Sequence, residues 1–390
     1  MKLITPWLGG AALVAVLACA TPASADPAVP PPAPALVMEV FEVPRGGDLL
    51  VLPVTIAGQL HWFALYTGAT NSVFDRSLRK VLGQPVGASG VSGGDDRVPV
   101  DLFAWPKDAY VGRIPLTSRR PIALTDLSTL RRTTGYEIHG LLGMDFLKAY
   151  TIRIDFDAGR LWFLRSAPDE SGKRIALRID ENGLPSVCAD LGDGPQDCLV
   201  NTGSVGLEAG ELTSVIIDSL VVREKARLGY DGGTVFFGGR DAARYPVVGN
   251  VNLAGFQHAN LAFTESAMNM LGLGYWSRYV VTFDFPGGYV YLAPGSRYDR
   301  GANPSDLGLA MTCEQRLTFV ESIKRGSVAA RSGLRLGDLL LNVAGRSAER
   351  SSVYQITSAL GEREIAKPVI VQRQGAIKIL EWPAAPPINR

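Results

Sequence analysis

Two stretches of this chain repeat each other without a gap, and that repeat constrains the fold more than any other feature. Leu141-Leu142-Gly143-Met144-Asp145-Phe146-Leu147-Lys148-Ala149-Tyr150-Thr151-Ile152-Arg153-Ile154-Asp155-Phe156 aligns with Met270-Leu271-Gly272-Leu273-Gly274-Tyr275-Trp276-Ser277-Arg278-Tyr279-Val280-Val281-Thr282-Phe283-Asp284-Phe285, an offset of 272 − 143 = 129. Upstream, Ala64-Leu65-Tyr66-Thr67-Gly68-Ala69 matches Leu199-Val200-Asn201-Thr202-Gly203-Ser204, an offset of 201 − 66 = 135. The same signals in the same order at nearly equal offsets read as one domain duplicated. The first copy falls at about 38–168 and the second at about 171–298. A chain of 390 residues has room for two or three cores.

Within and beyond the repeats, Val-, Ile- and Phe-rich runs alternate with Gly, Pro, Asn and Asp clusters at short intervals, which predicts a mostly β protein with few helices. Hydrophobic residues make up 46% and charged residues 20%, with a formal net charge of +1, the composition of a globular protein with no polyanionic partner. Arg119-Arg120 and Arg131-Arg132 lack aromatic interleaving and read as solvated loop charges, not a nucleic-acid surface.

The first residues carry an export address. Lys2 precedes an apolar run from Trp7 to Ala18, and Ala23-Ser24-Ala25 before Asp26 fits a signal-peptidase site, so 1–25 reads as a signal peptide. Val16-Leu17-Ala18-Cys19 also has the form of a lipoprotein box, and only lipidation at Cys19 implies a membrane association. The expected location is the periplasm or cell envelope. Residues 26–37 form a linker, whose Pro27 to Pro34 run favours polyproline II.

Cleavage leaves Cys188, Cys198 and Cys313. Cys188 and Cys198 flank Gly192-Asp193-Gly194-Pro195, a turn signal, and read as a disulfide across a β-hairpin or as two small buried hydrophobes. His61, His139 and His258 have no partner motif, no Cys/His cluster has metal spacing, and no cofactor is expected.

The repeated signals resemble those of the retropepsin-like and pepsin-like aspartic proteases, whose signature is an Asp-Thr-Gly-Ala/Ser turn followed by two apolar residues and a glycine. Here the turns are Thr67-Gly68-Ala69 and Thr202-Gly203-Ser204, and the later elements are Leu141-Leu142-Gly143 and Met270-Leu271-Gly272. The resemblance covers about two thirds of the chain. It implies two lobes meeting at the turns, where two carboxylates share a proton and activate a water. Tyr66 and Asn201 stand at the two aspartate positions. Asparagine nearly keeps the shape of aspartate and cannot remove a proton; tyrosine is an un-ionised phenol whose ring fills the water site. No catalytic residue is therefore assigned, and Asp75, Glu208 and Asp145 are poor substitutes. Gly83 to Gly94 falls where the family carries its substrate-covering flap, or is an ordinary loop; Asp231-Gly232-Gly233 and Gly238-Gly239 fill the corresponding interval of the second copy.

From about 303 to 385 the pattern changes. Leu317-Thr318-Phe319-Val320, Gly326-Ser327-Val328-Ala329-Ala330, Gly333-Leu334, Gly337-Asp338, Leu340-Leu341, Gly345 and Val371-Gln372-Arg373-Gln374-Gly375 resemble bacterial PDZ domains. Such domains take extended C-terminal peptides by strand addition, the carboxylate held by loop amides. Leu307-Gly308-Leu309 is the candidate loop, and Val353, Ile356 and Leu360 share one helix face, lining the pocket or filling the core. Three functions compete: a pseudo-protease that binds extended peptides or protein C-termini without cutting them, an active aspartic-type endopeptidase with an atypical site, and an envelope scaffold.

Overall fold

A computed structural model describes residues 30–93, 96–229, 234–236, 239–241, 244–300 and 307–384. The expected leader with Cys19 and Ala25, together with Gly94, Asp231, Gly232, Gly233 and Gly238, lies outside the described residues.

The protein is mostly β, with several sheets and short helices. Alternation explains the strands: in Gln59–Leu65, His61, Phe63 and Leu65 point inward while Leu60 and Trp62 face solvent. Phe63 and Leu65 are at most 1% exposed, each burial stabilising by about 1.5–3 kcal/mol. A two-residue turn at Ala57 and Gly58, with φ of 48° and 77°, returns the chain from Val51–Ile56 into this strand, the geometry that matches strand twist.

A nine-stranded sheet is built from residues 51–142 and an eight-stranded sheet from residues 178–271. They share one local plan. Gly140–Leu142 pairs parallel with Gln59–Leu65 and antiparallel with Val73–Asp75; Met270–Leu271 pairs parallel with Pro195–Val200 and antiparallel with Gly210–Leu212. A six-stranded sheet takes three strands from each half, with Thr151–Asp155 against Tyr279–Asp284 in its middle. There Arg153 pairs with Thr282, and 282 − 153 = 129 is the repeat offset itself. The residue thus faces its own duplicate, which puts a local two-fold axis through this pair. One hydrophobic core runs through both halves and the shared sheet.

Residues 307–384 have a core of their own around Leu340, Leu360, Val371 and Trp382. Five strands follow the order of the sheet, with Leu309–Glu314 at one edge and Ala376–Trp382 at the other. Helix Val353–Gly361 begins with a capping box in which Ser352 and Gln355 satisfy each other's backbone amides. This body packs on the first half, where helix Ser128–Thr134 lies against both strand Leu309–Glu314 and helix Val353–Gly361. Asp48, 1% exposed, accepts hydrogen bonds there from Ser352 Oγ and Tyr136 Oη, each at 2.8 Å. Among the described residues, no helix is long and apolar enough to cross a membrane.

Two expectations need correction. Cys188 and Cys198 do lie on a hairpin, but both are free. Cys188 pairs with Asp197 and Val187 with Cys198, so the register is offset by one residue and period-two alternation sends the thiols to opposite faces. Arg131 is not a solvated loop charge: it sits on helix Ser128–Thr134 and pairs with buried Asp75 at 3.0 Å.

Candidate functional site

The two Thr-Gly turns meet at the interface of the halves. Each follows a strand, Gln59–Leu65 or Pro195–Val200, and each is anchored by its backbone, with Tyr66 N donating to Leu142 O at 2.9 Å and Asn201 N to Leu271 O at 3.0 Å. Beneath them Thr67 and Thr202, both 0% exposed, bond reciprocally. Thr67 N donates to Thr202 Oγ1 and Thr202 N to Thr67 Oγ1, both at 3.0 Å. Thr67 Oγ1 donates to Val200 O at 2.6 Å, and Thr202 Oγ1 to Leu65 O at 2.7 Å. Every polar atom of this buried crossing named here has a partner, so it is rigid.

Above the threonines, each glycine makes room for the other turn's side chain. A Cβ on Gly68 would lie 2.4 Å from Asn201 Oδ1, and one on Gly203 would lie 2.0 Å from Tyr66 Cε2. Tyr66 and Asn201 are therefore brought together, and they hydrogen-bond to each other. Asn201 Oδ1 also accepts from Gly203 N at 2.9 Å, and its amide donates to Met270 Sδ at 3.0 Å. Burial, and then the charge of Glu211, push the Tyr66 phenol up to about 12, against the hydrogen bond with Asn201. Neither side chain is a base at neutral or acidic pH.

Ala69 and Ser204 close the turns, their carbonyls accepting at 2.8 Å from Met144 N and Leu273 N respectively. Gly143 and Gly272 each pack against the turn region of their own half, at Asn71 and Ser204, where no Cβ fits. The acids weighed as substitutes hold structural partners, although Asp145 Oδ2 is buried without one. Asp145 accepts from Ser72 N and Oγ, Asp75 from Ser77 N and Leu127 N while pairing with Arg131, and Glu208 from Tyr245 Oη.

The acid that sequence reasoning missed is Glu211. It lies on Gly210–Leu212 opposite Met270, is 7% exposed, and accepts from Ser204 Oγ at 2.9 Å, while its Oε2 is buried without a partner. Burial raises its carboxyl above the ordinary range, the charge of Glu208 adding to this and hydrogen bonds from Ser204 and Ser266 opposing it. Gly210-Glu211-Leu212 is buried at all three positions, so no alternation in the sequence marks the acid as an inward one.

Both intervals after the turns contain hairpins, Gly87–Gly93 with Asp96–Phe103 and Thr234–Phe236 with Gly239–Asp241. In the C-terminal body, Leu307, Ile356 and Leu360 are core residues at most 4% exposed, and Leu309 and Val353 stay partly exposed beside them. Gly308 has φ of 59°, and a Cβ there would lie 2.2 Å from Ser327 Cβ, so the loop requires glycine. The outer edge of Leu309–Glu314 faces helices instead of a further strand. The three histidines are structural in placement: His61 and His139 stack edge to face at 5.2 Å, and buried His258 bonds Tyr279 Oη. Among the described residues, no group of His, Cys, Asp and Glu is placed to hold a metal. Compared with protein-family models and with curated proteins, the chain matches none.

Proposed function

We propose that this is an exported pseudo-protease: a two-lobed, aspartic-protease-like cleft that holds extended peptide without cutting it, followed by a PDZ domain that engages chain ends. The observation that carries the reading is the reciprocal Thr67–Thr202 crossing with Tyr66 and Asn201 at its apex. That arrangement keeps the geometry of a two-carboxylate site and supplies no carboxylate. A phenol and an amide position a peptide by hydrogen bonding and contact, and neither takes a proton from water. The glycine loop at Gly308 and the partly exposed Leu309 and Val353 beside it support engagement of chain ends by the C-terminal body, with helix Ser128–Thr134 lying against strand Leu309–Glu314.

A second reading is favoured by one observation, the unpartnered Glu211 Oε2 beside Ser204 and near Tyr66. In that reading Glu211 is the only acid of an atypical peptidase. A fluorescence-quenched peptide library separates the two. The pseudo-protease binds library members with no cleavage from pH 3 to 8, whereas a Glu211-dependent peptidase cleaves and loses that activity in Glu211→Gln.

A further inference from the structure

The repeat itself exposes an arginine that the fold does not need. Arg278 occupies the position that Ala149 holds in the first copy, since 278 − 149 = 129, so the local structure forms with a methyl group there. Yet Arg278 is only 7% exposed. Its Nη1 donates to the carbonyls of Tyr298 at 3.2 Å and Arg300 at 2.5 Å, and its Nε is buried without a partner.

Arg278 lines a partly open cavity of about 30 Å³ together with Arg297, Arg300, Ser277 and Tyr354. This is where the second half, the 297–300 segment and helix Val353–Gly361 meet, and Gly47 N donates to Tyr354 Oη at 2.9 Å on its edge. Arg300 pairs with Glu362 at 3.2 Å, an acid that also lies 3.7 Å from Lys367. Among the described residues, neither Arg278 nor Arg297 has an ion pair with a carboxylate. Asp299, nearby in sequence, is exposed. Removing cations from water without an anion is costly, and three guanidinium groups on one small cavity add mutual repulsion. The lowered pKa of Arg278, caused first by burial and then in part by Arg297 and Arg300, fits that crowding.

We propose that this cavity binds a small oxyanion group, carboxylate or phosphate, which Arg278, Arg297 and Arg300 hold by charge-assisted hydrogen bonds. The volume has room for about two water-sized centres, enough for the oxygens of an end group entering from the open side. Gly206 and Leu207, just beyond the second turn, also line the cavity, but Tyr66 and Asn201 do not, and the proposal does not depend on the peptide-binding reading.

The full chain is titrated with sodium acetate and, separately, with sodium phosphate against sodium chloride at fixed ionic strength, while thermal unfolding is followed. A saturable rise in Tm with either oxyanion, absent in chloride, is expected; whichever is effective identifies the class. The half-saturating concentration should rise about tenfold or more in Arg297→Gln, as loss of one charge-assisted bond implies. Arg300→Gln, whose pairing with Glu362 is largely exposed, serves if Arg297→Gln does not fold. No saturable rise with either ion, or an equal rise in the variants, overturns the site.

Discussion

Gly203 is held to a bare backbone by a side chain from the other half of the molecule. The Tyr66 ring lies where its Cβ would be, at 2.0 Å, so Gly203→Ala should cost about 1–3 kcal/mol by overpacking. Most of that cost should vanish in a Tyr66→Ala background, and a double-mutant cycle in urea measures the coupling. Independent costs that simply add would show that the two do not touch. The threonines below are less forgiving. Thr67→Val strands the Val200 carbonyl and the Thr202 amide in a dry site, for a loss of about 2–4 kcal/mol read from denaturant midpoints. His258 gives a pH signature. Burial first, and the charge of Arg278 next, depress it to about 4, so the fold binds fewer protons there than the unfolded chain. Its contribution is complete above the ordinary value of 6.5 and is lost as pH falls from there through about 4. In His258→Gln the slope of stability against pH across that window should flatten. These turns were legible in the sequence because close approach demands glycine and the bracing demands a hydroxyl at one spacing. Glu211 was not, because an acid in a short inward strand looks like a surface acid until the pairing with Met270 is known.

The hairpin Pro185–Asp190 with Pro195–Val200 shows how one residue of register decides chemistry. Its turn was legible from Gly192 and Gly194, whose amides donate to Asp190 Oδ1 at 2.8 and 3.1 Å. The disulfide inferred from the same turn fails because Val187 and Ala189 claim the inner face and leave Cys188 outside. Iodoacetamide under native conditions should therefore label Cys188 rapidly. Cys198 is fully buried, and burial, aided by the nearby Asp197 and Cys188 charges, pushes its thiol up to about 12, so it should stay unlabelled until unfolding. Peptide mapping distinguishes the two; protection of both thiols in native, non-reduced protein would indicate a bridge after all. The strands of the central sheet were more readable, since Thr151–Asp155 and Tyr279–Asp284 carry the repeat that makes them pair about their own two-fold.

Across the whole molecule, the junction of the C-terminal body with the first half could not be read from sequence. It is made of scattered contacts, Asp48 with Ser352 and Tyr136, Gly47 with Tyr354, and helix Ser128–Thr134 on strand Leu309–Glu314, with no period to reveal them. Asp48→Ala leaves these donors unpaired and should loosen the docking. Cys313, 8% exposed and close to Gly135 across the junction, should then alkylate faster than in the parent while far-UV circular dichroism stays unchanged. An unchanged rate would place the strength of the docking elsewhere. The larger claim is that two halves build a cleft and leave it without a base, and restoring acids is its counterpart: Tyr66→Asp with Asn201→Asp recovers at most slow cleavage, because removing the ring leaves an ill-shaped water site. The most direct test is the quenched-peptide library on the parent chain, read for binding and cleavage together across pH. The account predicts saturable binding with no turnover above background; turnover that disappears in Glu211→Gln would contradict it.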